Sequence, residues 1–134
     1  MIVGLAFDQT TSEGAQARFV MPQSWNAGTI TARLRWTAAS GTGTVTWGVQ
    51  AVALRDNVAI DTAFGTAVTV TDTLLTVNYE HVTSTTAAVT IGNSPAKADT
   101  VILQVYRDIS DTLNADAVLL SVEIFSTINA ATDA

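Results

Sequence analysis

The sequence predicts an all-β protein, an antiparallel β-sandwich of the jelly-roll type with about eight strands, and three observations support this. In the stretch Thr29–Leu54, apolar side chains recur at every second position, which is the period of a half-buried strand. Thr and Val, whose branched Cβ atoms suit a pleated sheet, are abundant, whereas strong helix formers are scarce. Turn signals separate the apolar runs, and the longer connections indicate Greek-key crossings between two sheets rather than a simple meander.

A chain of 134 residues fits one domain with a single core. Within it we expect an N-terminal arm or edge strand over residues 1–16, the jelly-roll sandwich over 17–127 and a C-terminal tail over 128–134. Only 13% of the residues are charged and 48% are hydrophobic, so most of the polar surface is uncharged, as is common on sheets rich in Thr.

The charge and the cysteine count restrict the partners. A formal net charge of −6 repels a phosphate backbone, so no nucleic-acid partner is expected. Without cysteine there is neither a disulfide framework nor a thiolate metal site. The apolar opening segment meets Asp8 too early to be a signal-peptide core or a membrane span, so no membrane partner is expected either.

The stretch Thr29–Leu54 is interpreted as two long strands folded back on each other about a turn at Ser40–Gly43. Both strands carry a Trp in phase with aliphatic residues, so a second layer must cover their shared apolar face. The remaining strands are predicted at Ile2–Phe7 (or an arm), Ala17–Met21, Ala67–Val70, Thr73–Val82, Ala87–Ile91, Thr100–Arg107 and Ala117–Phe125, the last two as a pair. The predicted core comprises Leu34, Trp36, Val45, Trp47, Val49, Leu103, Val105, Leu120 and Val122.

Few residues are candidates for catalysis. His81 is the only histidine, so a histidine metal cluster is excluded, and it is interpreted as an ordinary surface or edge residue or, alternatively, as a pH-sensitive interface contact. No serine lies in a Gly-x-Ser-x-Gly elbow, and a catalytic triad would have to use His81 without a supporting motif. We therefore expect no enzymatic activity, no catalytic residues and no cofactor.

The acidic connection Asp108–Asp116 has two interpretations. Its carboxylate and amide oxygens could surround a hard cation, although the spacing differs from that of an EF-hand loop. Alternatively, Arg107, which is in phase with the inward residues of its strand, points inward and binds Asp111 or Asp116. We predict the arginine-anchored turn and no metal site.

Three tryptophans could form a sugar-binding platform, but Trp36 and Trp47 lie on the apolar face by phase and are assigned to the core. Trp25 lies outside any alternation, and it either caps the end of the sandwich or stays partly exposed and contacts a partner. Arg33 and Arg35 lie on the outer face of their strand, where they pair with acids across the sheet or meet an acidic neighbouring subunit.

The N-terminal segment is too apolar to stand free beside the solvated run that follows it. We therefore predict that Ile2, Val3, Leu5 and Phe7 contact a partner or the chain's own body, within a contact arm that spans Met1–Gln9.

The overall pattern resembles a known class of proteins. The order F-V-M-P-x-x-W-N-x-G, R-L-R-W-T, V-T-W-G-V-x-A-V, A-D-T-V-I-L-Q-V-Y-R-D and D-A-V-L-L-S-V-E-I-F-S, over about residues 17–126, resembles small jelly-roll virion proteins of tailed bacteriophages. These include capsid decoration (cement) proteins and domains of head or tail fibres. The likeness is one of strand pattern and composition, and no catalytic motif accompanies it.

The resemblance implies a non-enzymatic structural role on the virion surface, with assembly in the host cytoplasm and release by lysis. It also implies self-association, commonly as a homotrimer, and contact with the major capsid protein or another virion protein. The chain shows no fibre repeat or coiled coil, which favours a decoration protein. The alternative is a receptor- or carbohydrate-binding module of a virion fibre.

Overall fold

A computed structural model describes residues 4–11 and 13–128, and these residues form nine β-strands. The strands are β1 (Leu5–Phe7), β2 (Gly14–Val20), β3 (Trp25–Thr37), β4 (Thr44–Leu54), β5 (Val68–Thr73), β6 (His81–Val82), β7 (Ile91–Gly92), β8 (Thr100–Arg107) and β9 (Ala117–Ile128). No helix in these ranges is long and apolar enough to cross a membrane.

The strands form two packed sheets. Sheet A has the order β1-β9-β3-β6, and sheet B has the order β2-β8-β4-β5, with the short β7 pairing in parallel with β4. The antiparallel pairs are nested, because β1 pairs with β9, β2 with β8, β3 with β6 and β4 with β5. This nesting is that of a long hairpin rolled into two layers, and it confirms the predicted all-β jelly-roll sandwich.

The predicted hairpins are wrong, although the alternation that suggested them is correct. β3 lies in sheet A and β4 in sheet B, and β8 and β9 are likewise in different sheets. The apolar faces of successive strands meet across the interior, where Trp36 and Trp47 make an edge contact at 6.5 Å between ring centroids. The connection between β3 and β4 turns through Gly41 and Gly43, both at positive φ, and crosses from one layer to the other.

Two other predicted strands are also wrong. The predicted strand Thr73–Val82 is interrupted, because β5 ends at Thr73 and β6 contains only two residues. Between them Leu75 donates its N–H to the imidazole of His81, and Asn78 adopts a φ of 63°, so the backbone is not extended. The predicted strand Ala87–Ile91 is reduced to one bridge between Val89 and Ile30, followed by β7.

The predicted core is confirmed except at β9. Leu34, Trp36, Val45, Trp47, Val49, Leu103 and Val105 are buried. In β9, Trp36 pairs with Leu119 and Arg35 with Ser121, so Leu120 is an extra residue in a β-bulge. The bulge shifts the inward phase, so Leu119 is buried, Leu120 is only half-buried and Val122 packs at the margin of the core.

Arg107 is fully buried at the end of β8, as predicted, and its partner is Asp111. Its Nε and Nη2 donate to the two carboxylate oxygens at 2.9 and 3.0 Å. The remaining donors bind the carbonyl oxygens of Phe7, Leu113 and Ala115, so all five guanidinium N–H groups are used. One side chain thereby joins β1, β8 and the acidic connection.

A second ion pair, between Arg55 and Asp99, lies at the other end of sheet B, where β4 ends and β8 begins. Arg55 donates to both carboxylate oxygens of Asp99, which is 4% exposed, and also to the carbonyl oxygens of Asn93 and Ser94. The hydrogen bond from Arg55 lowers the pKa of Asp99, and the N–H of Ala96 acts in the same direction, against the effect of burial. The connection between β7 and β8 is therefore held by a carboxylate that must be ionised.

We expect stability to fall in acid partly through Asp99. A carboxyl whose pKa is lower in the folded than in the unfolded state binds fewer protons when folded, so protonation favours unfolding. This stabilisation is complete above the ordinary aspartate pKa of about 3.9, and it is lost as the pH falls through the lower pKa of the folded state. Urea unfolding between pH 7 and pH 2.5 should show a shallower loss for Asp99→Asn than for the parent. Parallel curves would contradict this assignment.

Candidate interaction surfaces

The predicted contact arm divides into parts with different environments. Ile2 and Val3 lie outside the described residues. Leu5 and Phe7 belong to β1, where Leu5 is 56% exposed and Phe7 is buried, with its ring 5.2 Å from that of Trp47. Phe7 is therefore a core residue and not a free contact residue, whereas Leu5 remains available at the edge of sheet A.

Trp25 begins β3 and is fully buried in the core cluster. Two alternatives were predicted for Trp25. Its burial agrees with a cap at the end of the sandwich, and the prediction that it stays partly exposed and contacts a partner is wrong. Since Trp36 and Trp47 are also fully buried, the three tryptophans offer no sugar-binding platform.

Arg33 and Arg35 pair with an acid across sheet A, as one of the two alternatives predicted. Both donate to Oε1 of Glu123, Arg33 at 2.7 and 3.0 Å and Arg35 at 3.0 Å. The hydrogen bonds from Arg33 and then Arg35 lower the pKa of Glu123. Arg33 also lies over the ring of Phe125, and Arg35 lies 3.9 Å from Glu80. The positive charge of this outer face is thus largely neutralised within the chain.

His81 lies on the edge strand β6, but it is only 7% exposed, so the expected surface position is wrong. Its ring packs 5.0 Å from that of Trp36. Nδ1 lies 2.8 Å from the carbonyl oxygen of Tyr79, to which it donates, and Nε2 accepts the N–H of Leu75 at 3.0 Å. The ring thereby shapes the connection between β5 and β6, which is a structural role.

The acidic connection holds its carboxylates apart. Asp108 accepts the N–H and hydroxyl of Ser110, Asp111 binds Arg107, and Asp116 accepts the N–H of Gln9 at 3.3 Å. The hydrogen bonds from Ser110 lower the pKa of Asp108. Nowhere in residues 4–11 and 13–128 do three or more His, Asp or Glu side chains gather as metal ligands would.

One flank of the sandwich has open sheet edges. Among the described residues, the outer edge of β9 is paired only by β1, over Ala117–Leu119, so the stretch Leu120–Ile128 has no strand on that side. In sheet B, β2 is the terminal strand, and no strand of residues 4–11 or 13–128 pairs with its outer edge along Gly14–Val20. Exposed edges of this kind present backbone donors and acceptors to another chain.

A groove of about 510 Å³ lies between these two edges, and we call it the flank groove. Its lining is mainly apolar: Gly4, Leu5, Ala15, Gln16, Ala17, Leu103, Val105, Leu119, Leu120, Ser121, Val122 and Ile124. The groove lies beside the part of β9 where, among the described residues, β1 pairs over Ala117–Leu119. The sequence could not reveal it, since the groove depends on which strands become neighbours.

Comparison of the chain with protein families, with curated protein sequences and with solved structures finds no match.

Proposed function

We propose that this chain is a non-enzymatic structural protein of a bacteriophage virion, a capsid decoration protein that works as a homotrimer and bridges or stabilises capsid subunits. The virion context comes from the resemblance in strand pattern and composition. The assembly role is supported by the surface of the sandwich.

The observation that carries the assembly role is the flank groove with its two open edges. An apolar groove beside unpaired strands fits an extended segment of a second copy, which adds backbone hydrogen bonds and buries alternate side chains. Few charges protect these edges from pairing with another chain. The charged residues on β2 and β9 are Arg18 and Glu123, and Glu123 is bound to Arg33. An edge that meets a different surface of the next copy generates a closed ring when the rotation between copies closes, and a trimer is one such ring.

We expect the purified chain to have three times its monomer mass of 14.0 kDa when size exclusion is coupled to light scattering. Leu5→Arg places a charge at the rim of the flank groove and should convert the trimer to a folded monomer, because an unpaired charge is costly to bury in an interface. Leu75→Arg is the matched control, since Leu75 is 81% exposed but lies next to the opposite edge of sheet A. A parent monomer at micromolar concentration, or a Leu5→Arg trimer, would contradict the proposal.

The capsid contact is tested separately with the predicted arm. Deleting Met1–Phe7 would remove a core side chain, so the informative deletion is Met1–Val3. The shorter deletion should weaken binding to undecorated capsids while the melting temperature is retained. Full binding by this variant would place the capsid contact elsewhere.

The second candidate function, a receptor- or carbohydrate-binding module of a virion fibre, has one observation in its favour. The outer face of sheet B carries a tyrosine beside a row of glutamines, on the opposite side of the sheet from the buried Trp47.

A further inference from the structure

Three glutamines form a row across the outer face of sheet B. Gln16 of β2 pairs in register with Gln104 of β8, and Gln104 pairs with Gln50 of β4. The amide of Gln50 donates to the side-chain oxygen of Gln104. Since neighbouring strands are about 4.8 Å apart, the row spans about 10 Å. Outside that bond Gln50 keeps its oxygen and one N–H, Gln104 keeps its NH₂ group, and Gln16 keeps a whole amide for a ligand.

Tyr106 lies in the adjacent row, between two glycines. Its cross-strand partners are Gly14 on β2 and Gly48 on β4. A Cβ atom added to Gly48 would lie 2.1 Å from Cζ of Tyr106 and 2.5 Å from both Cε atoms. The phenol ring therefore lies flat against the backbone of Gly48, a position that any larger residue would block. Its other face is partly exposed.

The row of glutamines and Tyr106 border two shallow depressions on this face. One, of about 350 Å³, is lined by Glu13, Gly14, Gln50, Gln104 and Tyr106. The other, of about 420 Å³, is lined by Gln16, Ala17, Arg18, Ile60 and Ile102. Gln16 of the second depression pairs in register with Gln104 of the first, so the two depressions lie on neighbouring parts of β2 and β8. We call Gln16, Gln50, Gln104 and Tyr106 the Gln–Tyr platform.

We propose that the Gln–Tyr platform binds an uncharged oligosaccharide. A flat phenol packs against the C–H face of a pyranose ring, and side-chain amides pair with neighbouring hydroxyl groups as donor and acceptor at once. One depression contains a single carboxylate, Glu13, and the other a single guanidinium, Arg18, so neither sign of charge dominates the platform, which favours an uncharged ligand. Depressions of this size hold small ligands, and two in succession fit more than one sugar ring.

The residues have separate roles in this site. Tyr106 supplies the stacking surface, and Gly48 sets its orientation. Gln50 and Gln104, already bonded to each other, present a fixed pair of amides next to the ring, while Gln16 extends the contact toward the second depression. The inference does not rest on the decoration role, because the platform lies on the outer face of sheet B and the flank groove lies between the sheets.

The test is a glycan array probed with the full-length chain, followed by calorimetric titration with neutral hexasaccharides such as cellohexaose, xylohexaose, mannohexaose and maltohexaose. We expect binding to at least one neutral glycan. Tyr106→Ala and Gln104→Ala should each weaken that binding at least tenfold, and Tyr106→Phe should weaken it less because the ring remains. The matched control is Phe125→Ala, which removes an exposed aromatic ring from the outer face of sheet A and should leave affinity unchanged.

Melting curves of every variant separate lost binding from lost folding, and Gln50→Ala provides a second surface substitution if Tyr106→Ala unfolds. The Leu5→Arg variant should bind the glycan as the parent does. The trimer proposal and the glycan proposal can therefore fail independently of each other. Absence of glycan binding at millimolar concentration, binding only to acidic glycans, or equal affinity of the parent and Tyr106→Ala would overturn the proposal.

Discussion

Replacing Arg107 with methionine is expected to lower the free energy of unfolding by about 3–5 kcal/mol. The substitution leaves the carboxylate of Asp111, whose side chain is 1% exposed, buried without its counter-ion. It also removes the donors that satisfy the carbonyl oxygens of Phe7, Leu113 and Ala115. Because these groups lie on two different segments, β1 and the acidic connection should loosen together. Urea denaturation measures the loss, and hydrogen exchange at residues 5–7 and 108–116 locates it.

Three controls make this result specific. Arg18→Met removes an exposed guanidinium from β2 and should change stability little. Adding Asp111→Leu to Arg107→Met should recover part of the loss, since it removes the stranded charge but not the three unsatisfied carbonyl groups. Millimolar calcium or a chelator should leave the melting temperature unchanged. A rise of several degrees with calcium, or parental stability of Arg107→Met, would contradict an arginine-anchored connection.

Truncating Trp47 to alanine is expected to cost about 3–5 kcal/mol as well, which is a large part of a typical domain's stability. The side chain is fully buried at the centre of the sandwich, where its ring contacts those of Phe7 and Trp36. These three rings belong to β1, β3 and β4, so the substitution opens a cavity between the two sheets. Chemical denaturation followed by far-ultraviolet circular dichroism gives the magnitude.

Tyr79→Ala is the comparison for Trp47→Ala, because it removes a similar ring that is 66% exposed. Its effect should be small, since little apolar surface returns to water. If Trp47→Ala melted within a degree or two of the parent, the inward phase assigned to β4 would be wrong.

The layer structure was predictable because a period of two is a local property of the chain. In β3, β4 and β8 the alternation identified the inward residues correctly, including the buried Arg107, whose partner is the first of the two predicted alternatives, Asp111 and Asp116. The pairing of strands was not predictable, because alternation shows which face is apolar and not which strand lies alongside. Two strands with a short turn between them suit a hairpin, yet β3 and β4 pack face to face through Trp36 and Trp47.

The errors at single positions have specific physical causes. The β-bulge at Leu120 moves the inward phase of β9 by one residue, and nothing in the local sequence signals it. His81 is buried because a two-residue strand and the connection before it close around the imidazole, which takes three backbone hydrogen bonds. A histidine with several backbone partners cannot be recognised before the tertiary contacts are known.

The Gln–Tyr platform had one signal in the sequence. A glycine inside a strand often marks the close approach of another group. Gly48 lies at an outward position of a predicted strand, and Gly14 lies at the start of the observed β2. They are far apart in sequence and meet at Tyr106 only through the pairing of β2, β8 and β4. The flank groove had no such signal, because its lining comes from β1, β2, β8 and β9, which become neighbours only in the folded chain.

Quantitative mass spectrometry of purified particles tests the proposed function most directly. The particles are those produced from the genome that encodes this chain, and the copy number is measured relative to the major capsid protein. The decoration role predicts many copies per particle, in a fixed ratio to the capsid protein, and loss of the chain from particles made with the Leu5→Arg variant. A chain that is absent from the particles, or present in only a few copies as a fibre component would be, would contradict it.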